Sequence, residues 1–197
     1  MASITMLMLL SCLAIISHSS ASTNDNQTNY VEDACSVTRY QSLCIRSLSS
    51  FSRTAKDNPS LWARAGVSVT LEEAKRVSQY LETLKKNKTM TTRGIKNKIA
   101  LSDCIECFED TLDLLHQSLY VLRKLSVMKF NSQLDDVATW VSAALTDEDT
   151  CVDGFKEGNG KRVKFVINRV SNVTYMTSNA LALINKLATA GPKCLVN

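Results

Sequence analysis

The sequence predicts an all-α protein: an up-down-up-down four-helix bundle, preceded by an N-terminal helical hairpin and stapled by disulfides. Three observations predict this fold. Apolar residues recur at three- and four-residue steps over four long segments. The 197 residues include only six Gly and two Pro, which is few against usual frequencies of about 7% and about 5%. Six of the seven cysteines follow an apolar N-terminal leader.

The leader, residues 1–21, predicts a secretory signal peptide. It contains no Lys, Arg, Asp or Glu, and Ser19 and Ala21 occupy the −3 and −1 positions of a cleavage site. Its apolar stretch is shorter than the ~20 residues that a spanning helix needs. Cleavage would remove Cys12. No later apolar run is long enough to cross a membrane, so a secreted, soluble protein without a membrane partner is expected.

Residues 22–29 are polar and are predicted to be a flexible N-terminus. Three N-x-S/T sequons agree with secretion and predict glycosylation at Asn26, Asn87 and Asn172. Asn172 falls inside a helical pattern, so it must face solvent to be used.

The composition gives a formal net charge of +4. Without a block of Lys or Arg, the charges are expected to be well mixed over the surface. Nucleic acid is not expected as a partner, because binding it usually needs a clustered basic face. A polyanionic wall polymer and an acidic protein surface stay open as partners.

Residues 30–194 are predicted to form one domain, with the bundle at residues 58–190. The helix breaks are expected near residues 86–92, 127–132 and 156–161, and such short loops make neighbouring helices antiparallel. Asn58-Pro59-Ser60 predicts the start of the first bundle helix, and Gly191-Pro192 the end of the last. The four apolar stripes are Leu61, Ala65, Val69, Val77, Leu81 and Leu84; Ile95, Ile99, Ile105, Phe108, Leu112, Leu115, Leu119 and Leu122; Leu134, Val137, Ala138, Val141, Ala144 and Leu145; and Val163, Val166, Ile167, Val170, Val173, Thr177, Leu181, Ile184 and Ala188.

Residues 30–57 contain Cys35 and Cys44 and are predicted to form one or two short helices. They are too short to bury a core of their own, so a disulfide would fix their shape against the bundle.

Six cysteines allow 15 pairings, and the helix registers favour two of the bonds. Cys35 and Cys44 are near neighbours in a segment that must turn. Cys104 lies in the first half of the second bundle helix and Cys151 near the end of the third, so these two levels meet in antiparallel helices. A Cys104–Cys151 bond would contribute about 4 kcal/mol in the chain-entropy model.

Cys107 and Cys194 are expected to be unpaired. Cys107 lies on the second bundle helix, about 28 Å from the C-terminal end of that helix. Cys194 follows the last helix at the same end of the bundle, and the short tail hardly spans this distance. A bond between them stays open as the alternative, because secreted proteins seldom leave odd thiols. The Cys104-x-x-Cys107 motif lies inside a helix without a second such motif, which argues against a redox or zinc site.

No catalytic residue, metal or cofactor is expected. His116 is the only histidine after the leader, and no Gly-rich loop is present. Phosphate cradles and Ser/His/Asp elbows are therefore excluded. The acidic groups are better suited to contact. Glu106, Asp110 and Asp113 form a strip on the second bundle helix, for which simple solubility is the alternative. The 147–150 segment, beside Cys151, is expected to be exposed.

Three segments resemble plant pectin methylesterase inhibitors. They are residues 136–155 (DVATWVSAALTDEDTCVDGF), residues 100–115 (ALSDCIECFEDTLDLL) and residues 34–44 (ACSVTRYQSLC). The resemblance covers essentially all of the chain after the leader. It implies a four-helix bundle with an N-terminal helical hairpin, and disulfides that join the first to the second and the third to the fourth of these cysteines.

The resemblance also implies a role. Such inhibitors are secreted into the plant apoplast and cell wall and are not enzymes. They form a 1:1 complex with pectin methylesterase, covering its substrate cleft with bundle helices. The candidate contacts carried over are Glu106, Asp110, Asp113, Thr146, Asp149 and Thr150.

Two other readings stay open. Inhibitors of cell-wall or vacuolar invertase share this fold, but they resemble each other through a Pro-Lys-Phe motif where this chain has Val163-Lys-Phe165. A non-inhibitory wall protein that binds polyanionic pectin is the third hypothesis.

Overall fold

The fold is described from a computed structural model that covers residues 29–87, 95–158 and 160–195. The predicted signal peptide, most of the predicted flexible N-terminus and Asn26 lie outside the described residues and stay predictions.

The described chain contains six α-helices of seven or more residues and no strand. Short helical turns occupy Ser49–Phe51, Ser52–Ala55, Val127–Lys129 and Pro192–Leu195. The helices are α1 (29–35), α2 (Gln41–Leu48), α3 (Pro59–Lys86), α4 (Ile95–Arg123), α5 (Phe130–Gly154) and α6 (Lys161–Ala190).

The first bundle helix begins, and the last one ends, at the residues that the sequence predicted. The side chain of Asn58 accepts hydrogen bonds from the backbone N–H groups of Ser60 and Leu61, at 2.9 and 3.3 Å. This is an N-cap that satisfies two otherwise unpaired donors. At the other end, Gly191 adopts a φ of 76°, a left-handed conformation that suits glycine and stops α6.

The break between α4 and α5 lies earlier than the predicted residues 127–132. Helix α4 ends at Arg123, and α5 already begins at Phe130. The side chain of Gln133 holds the intervening loop, because it accepts a hydrogen bond from the Ser126 N–H at 2.8 Å and donates one to the Lys124 carbonyl at 3.3 Å. The Phe130 ring is buried and belongs to the core. A side chain beyond the loop therefore sets where the helices end.

Helices α3 to α6 form an antiparallel bundle in which each packs on the next and α6 packs on α3. Cys104 and Cys151 are bonded across α4 and α5, with Cα atoms 4.3 Å apart. Seven residues further along α4 and seven back along α5, the Thr111 hydroxyl donates to the Ala144 carbonyl at 3.5 Å. These two contacts show the antiparallel register directly, and the predicted all-α bundle is confirmed.

Helices α3 and α6 are also antiparallel. Gly66, early in α3, lies so close to the late part of α6 that an added Cβ would stand 3.0 Å from a methyl carbon of Leu183. Near the opposite end, the rings of Tyr80 and Phe165 meet edge to face, with centroids 5.4 Å apart.

The N-terminal segment docks on α3 and α6. The Cys35–Cys44 disulfide joins α1 to α2. The Asn179 side chain accepts from the Tyr40 N–H at 3.1 Å and donates to its carbonyl at 3.0 Å. Trp62 on α3 is buried in the small core beneath this segment. Because the segment lies on this side, the outer faces of α4 and α5 stay uncovered.

Two residues predicted for the buried stripes are exposed instead. Ile99 is 55% exposed, whereas Ala100 and Leu101 are buried. Ala100 lies where α4 and α5 approach closely, against Gly154, and one residue earlier the helix has turned about 100° away. Ala188, in the last turn of α6, is exposed. No helix in the described part of the chain is long and apolar enough to cross a bilayer.

We expect the loss of the Cys104–Cys151 bond to destabilise the protein more than the loss of Cys35–Cys44. The bonds close loops of 47 and 9 residues, which correspond to about 4 and about 3 kcal/mol of unfolding free energy in the chain-entropy model. All four cysteines are buried, so the two double Cys→Ala variants are matched. Urea unfolding of both measures the difference. A larger loss for the Cys35/Cys44 variant would contradict this prediction.

Candidate functional site

The outer surface of α4 and α5 carries almost only negative charge. The cations of α4 lie at its two ends, at Lys96, Lys98 and Arg123. Residues 99–122 and 130–154 contain no Lys or Arg, yet they hold eleven of the nineteen Asp and Glu residues in the chain, and all of these except Glu148 are at least partly exposed. The expectation of well-mixed charges was therefore wrong. The low net charge of the whole chain hides this separation of acidic and basic residues between helices. It becomes visible when the charges of each helix are counted separately.

The predicted contact residues lie on this acidic pair of helices. All six are exposed. The Cys104–Cys151 bond sets their levels, since in an antiparallel pair it brings residue 106 opposite residue 149. The six predicted contact residues are Glu106, Asp110 and Asp113 on α4, and Thr146, Asp149 and Thr150 on α5.

The two threonines extend the acceptor character of this surface. The Thr150 hydroxyl donates to the Thr146 carbonyl at 2.8 Å, and the Thr146 hydroxyl to the Ser142 carbonyl at 3.1 Å. Since each hydroxyl uses its single hydrogen inside α5, it presents lone pairs to solvent. The six residues together offer hydrogen-bond acceptors, and a partner rich in Arg, Lys or N–H donors complements them.

Asp110 and Asp147 approach each other at the seam between α4 and α5. Partial burial, and then the charge of Asp110, raise the pKa of Asp147. Cys107 lies at the same seam, where burial, followed by Asp147 and Asp110, raises the pKa of its thiol. Asp147 was not among the predicted contacts. The structure adds it to the acidic surface because it joins the strip on α4 to the threonines on α5.

Cys107 and Cys194 are both unpaired and partly buried. Burial raises the pKa of the Cys194 thiol as well. Thiols with raised pKa values form little thiolate and are poor nucleophiles and metal ligands. Cys104 is bonded to Cys151 rather than to Cys107, so the C-x-x-C motif holds one disulfide sulfur and one thiol. No group of three His, Cys, Asp or Glu within the described residues could hold a metal ion.

Glu148 departs from the expectation that residues 147–150 are exposed. Its side chain is fully buried between α5 and α6, and its Oε1 accepts a hydrogen bond from the Thr177 hydroxyl at 2.6 Å. Its Oε2 atom is buried without a hydrogen-bond partner among the residues that the structure describes. Burial, opposed by the Thr177 hydrogen bond, raises the pKa of Glu148 from 4.5 to about 8. Consecutive residues of an α-helix point in different directions, so Asp147, Glu148 and Asp149 cannot all lie on one face. Glu148, the middle residue, points into the bundle.

The sequons have different surroundings. Asn87 is exposed at the end of α3, whereas Asn172 is partly buried on α6, with its amide nitrogen 3.7 Å from the Met176 sulfur. Glycosylation at these positions stays a prediction.

The sequence model of the family described as "Plant invertase/pectin methylesterase inhibitor" matches residues 29–183. The chain belongs to this family. It is 47% identical to "Pectinesterase inhibitor 6" of Arabidopsis thaliana, an alignment that covers 88% of this chain and 84% of that protein. It is 36% identical to the "21 kDa protein" of Daucus carota, covering 92% of this chain and 94% of that protein. The predicted family is confirmed.

Solved structures support the same fold. A mutant form of a pectin methylesterase inhibitor from Arabidopsis superposes with a TM-score of 0.61 at 20% identity, covering 77% of this chain and 92% of that one. The crystal structure of a pectin methylesterase inhibitor from Arabidopsis thaliana gives 0.55 at 21% identity, covering 80% and 95%. In this member of the inhibitor family, the acidic surface of α4 and α5 is the candidate contact face.

We expect the stability of the protein to fall as the pH rises from about 5 to about 8. Glu148 holds its proton more tightly in the folded chain, with a pKa of about 8 against an ordinary 4.5. Its contribution is therefore complete below pH 4.5 and is lost as the pH rises towards 8, at up to about 1.4 kcal/mol per pH unit. In a Glu148→Gln variant, which cannot ionise at this position, most of this fall should disappear, leaving the smaller contribution of Asp147.

Urea unfolding at several pH values measures both proteins. Asp135→Asn is the matched control, because it removes an exposed carboxylate of the same helix, about 20 Å along it from Glu148, and should keep the wild-type pH dependence. Parallel curves for wild type and Glu148→Gln would contradict the prediction.

Proposed function

We propose that this protein is a secreted inhibitor of pectin methylesterase that acts in the plant cell wall. In this proposal it binds the enzyme as a 1:1 complex and occludes the pectin-binding cleft with the outer surface of α4 and α5. The observation that carries the proposal is family membership at 47% identity to a pectinesterase inhibitor. An inhibitor, rather than an enzyme, is what that membership implies.

The acidic surface supports the choice of contact face. It is left open because the N-terminal segment docks on α3 and α6 instead. An enzyme cleft that accommodates a polymer with free carboxylates must tolerate negative charge. An acceptor-rich helix pair complements such a cleft better than a basic surface does, and complementary charge also speeds association.

The size of the face is sufficient for a stable complex. The 29 residues of α4 make a helix about 44 Å long. Two adjacent helices, each about 10 Å wide, therefore present about 900 Å². A standard protein–protein interface buries ~800 Å² on each partner.

Secretion to the apoplast belongs to the same proposal. The predicted signal peptide at residues 1–21 directs export, and the Cys35–Cys44 and Cys104–Cys151 disulfides suit an oxidising compartment.

Invertase is the second candidate target, because the family description includes both classes of inhibitor. The names of the similar curated proteins favour the esterase: "Pectinesterase inhibitor 6" and "Pectinesterase inhibitor 10", at 47% and 37% identity.

The purified mature protein should suppress methanol release from pectin by a plant pectin methylesterase, with full inhibition near one inhibitor per enzyme. The same preparation should leave sucrose hydrolysis by cell-wall and vacuolar invertase unchanged. Suppressed sucrose hydrolysis with an unaffected esterase would establish the second candidate instead. If neither enzyme responds at a large molar excess, the proposed function is wrong.

Charge reversal on the acidic surface should weaken inhibition. We expect Asp110→Lys and Asp149→Lys each to raise the inhibition constant about tenfold or more, equivalent to about 1.4 kcal/mol. Asp57→Lys is the matched control. Asp57 is also an exposed aspartate, but it lies beside the start of α3 and the end of α6, away from the acidic surface.

Inhibition constants from methanol-release assays compare the three variants. A control variant that loses as much as the other two would show that general charge, and not this face, determines binding.

A further inference from the structure

The side of the bundle opposite the acidic surface carries positive charge. Helix α6 contains five Lys or Arg residues and no Asp or Glu. Four of the five lie in its first nine residues, and α3 ends with two further lysines. The basic cluster is Lys85, Lys86, Lys161, Arg162, Lys164 and Arg169.

The antiparallel packing of α3 and α6 brings the cluster together at one end of the bundle. Tyr80 contacts Phe165, so the residues that follow Tyr80 on α3 and those that precede Phe165 on α6 lie towards the same end. The Arg169 guanidinium stands over both rings, 5.7 Å from the Tyr80 centroid and 5.0 Å from that of Phe165. The cluster thus surrounds an aromatic pair.

Ion pairs involve three other cations of α3 and α6. Midway along α3, Lys75 pairs with Glu72 and Arg76 with Glu73, at 3.6 and 2.8 Å. At the end of α6, Lys186 pairs with Asp33 at 2.8 Å. These pairs are neutral overall, whereas Lys161 and Lys164 lie in a turn of α6 that contains no acidic residue.

Helix stability does not explain the cluster. Lys85 and Lys86 do complement the negative end of the α3 dipole. Lys161 and Lys164, however, lie in the first turn of α6, where the dipole is positive and no acidic residue is present. Cations are destabilising at such a position. Local choices that oppose the fold are expected at functional sites.

Phe165 is also unusual, because this large apolar side chain is 45% exposed. An aromatic ring beside cations suits a ligand that combines apolar ring surface with negative charge. A polysaccharide of uronate sugars has both, since its C–H faces pack on aromatic rings and its carboxylates pair with Arg and Lys.

We propose that the basic cluster and the Tyr80–Phe165 pair form a binding surface for a carboxylate-bearing polysaccharide, namely de-esterified pectin. The choice of polymer rests on the proposed function, because pectin methylesterase produces free carboxylates on pectin. The site lies on a different helix pair from the acidic surface. The protein can therefore hold the product polymer with α3 and α6 while α4 and α5 engage the enzyme.

Binding to polygalacturonate, measured by biolayer interferometry without any enzyme, tests this proposal. The wild-type protein should bind polygalacturonate but neither highly methylesterified pectin nor dextran. The affinity should fall at least about tenfold between about 20 mM and about 300 mM salt, as expected for screened charges.

Two double variants localise the surface. Lys161→Glu with Lys164→Glu should weaken binding at least about tenfold, in line with the loss of two close charge contacts. Arg53→Glu with Lys129→Glu makes the same change of net charge at exposed positions near the other end of the bundle and should leave binding within about twofold. Thermal unfolding confirms that both remain folded.

Equal losses in the two double variants, equal affinity for single-stranded DNA, or no binding at low salt would each overturn the proposal. The inhibition assay separates it from the proposed function. Lys161→Glu with Lys164→Glu should keep full inhibition of soluble pectin methylesterase. An inhibitor that does not bind polygalacturonate, or a polymer-binding protein that does not inhibit, would identify which of the two statements fails.

Discussion

The register of α4 against α5 is the constraint on which the rest of the structure depends. A covalent bond fixes it at Cys104 and Cys151, and the hydrogen bond from Thr111 to Ala144 repeats it two turns further along. A slip by one turn would separate Asp110 from Asp147 and break up the acidic surface. The same bond holds the end of α5 in place, where Glu148 projects towards α6. The candidate contact face and the position of the buried Glu148 side chain therefore both depend on the Cys104–Cys151 disulfide.

Periodicity in the sequence predicted most of the fold, because a helix that buries one stripe must repeat its apolar residues at fixed steps. The limits of that reasoning are physical. Ile99 fits the apolar repeat but is exposed, because the close approach of Ala100 to Gly154 sets the rotation of α4. The start of α5 was placed too late because the Gln133 side chain, beyond the loop, determines where the loop ends.

The candidate site was predictable in part. The carboxylates of α4 could be placed on one strip from their spacing. The direction in which Glu148 points could not, because it depends on Thr177, 29 residues away on another helix. The charge separation between helix pairs was present in the sequence, but the net charge of +4 averages it away. The bundle turns this separation into two opposed surfaces, and each can meet a different partner.

At neutral pH, folding of this chain takes up a proton. With a pKa of about 8, the buried carboxyl of Glu148 is mostly protonated in the folded chain, whereas with its ordinary pKa of 4.5 the same group is ionised in the unfolded chain. Below pH 4.5 the carboxyl carries its proton in both states, so folding there needs no uptake. One buried side chain therefore links the packing of α5 on α6 to the acidity of the surroundings.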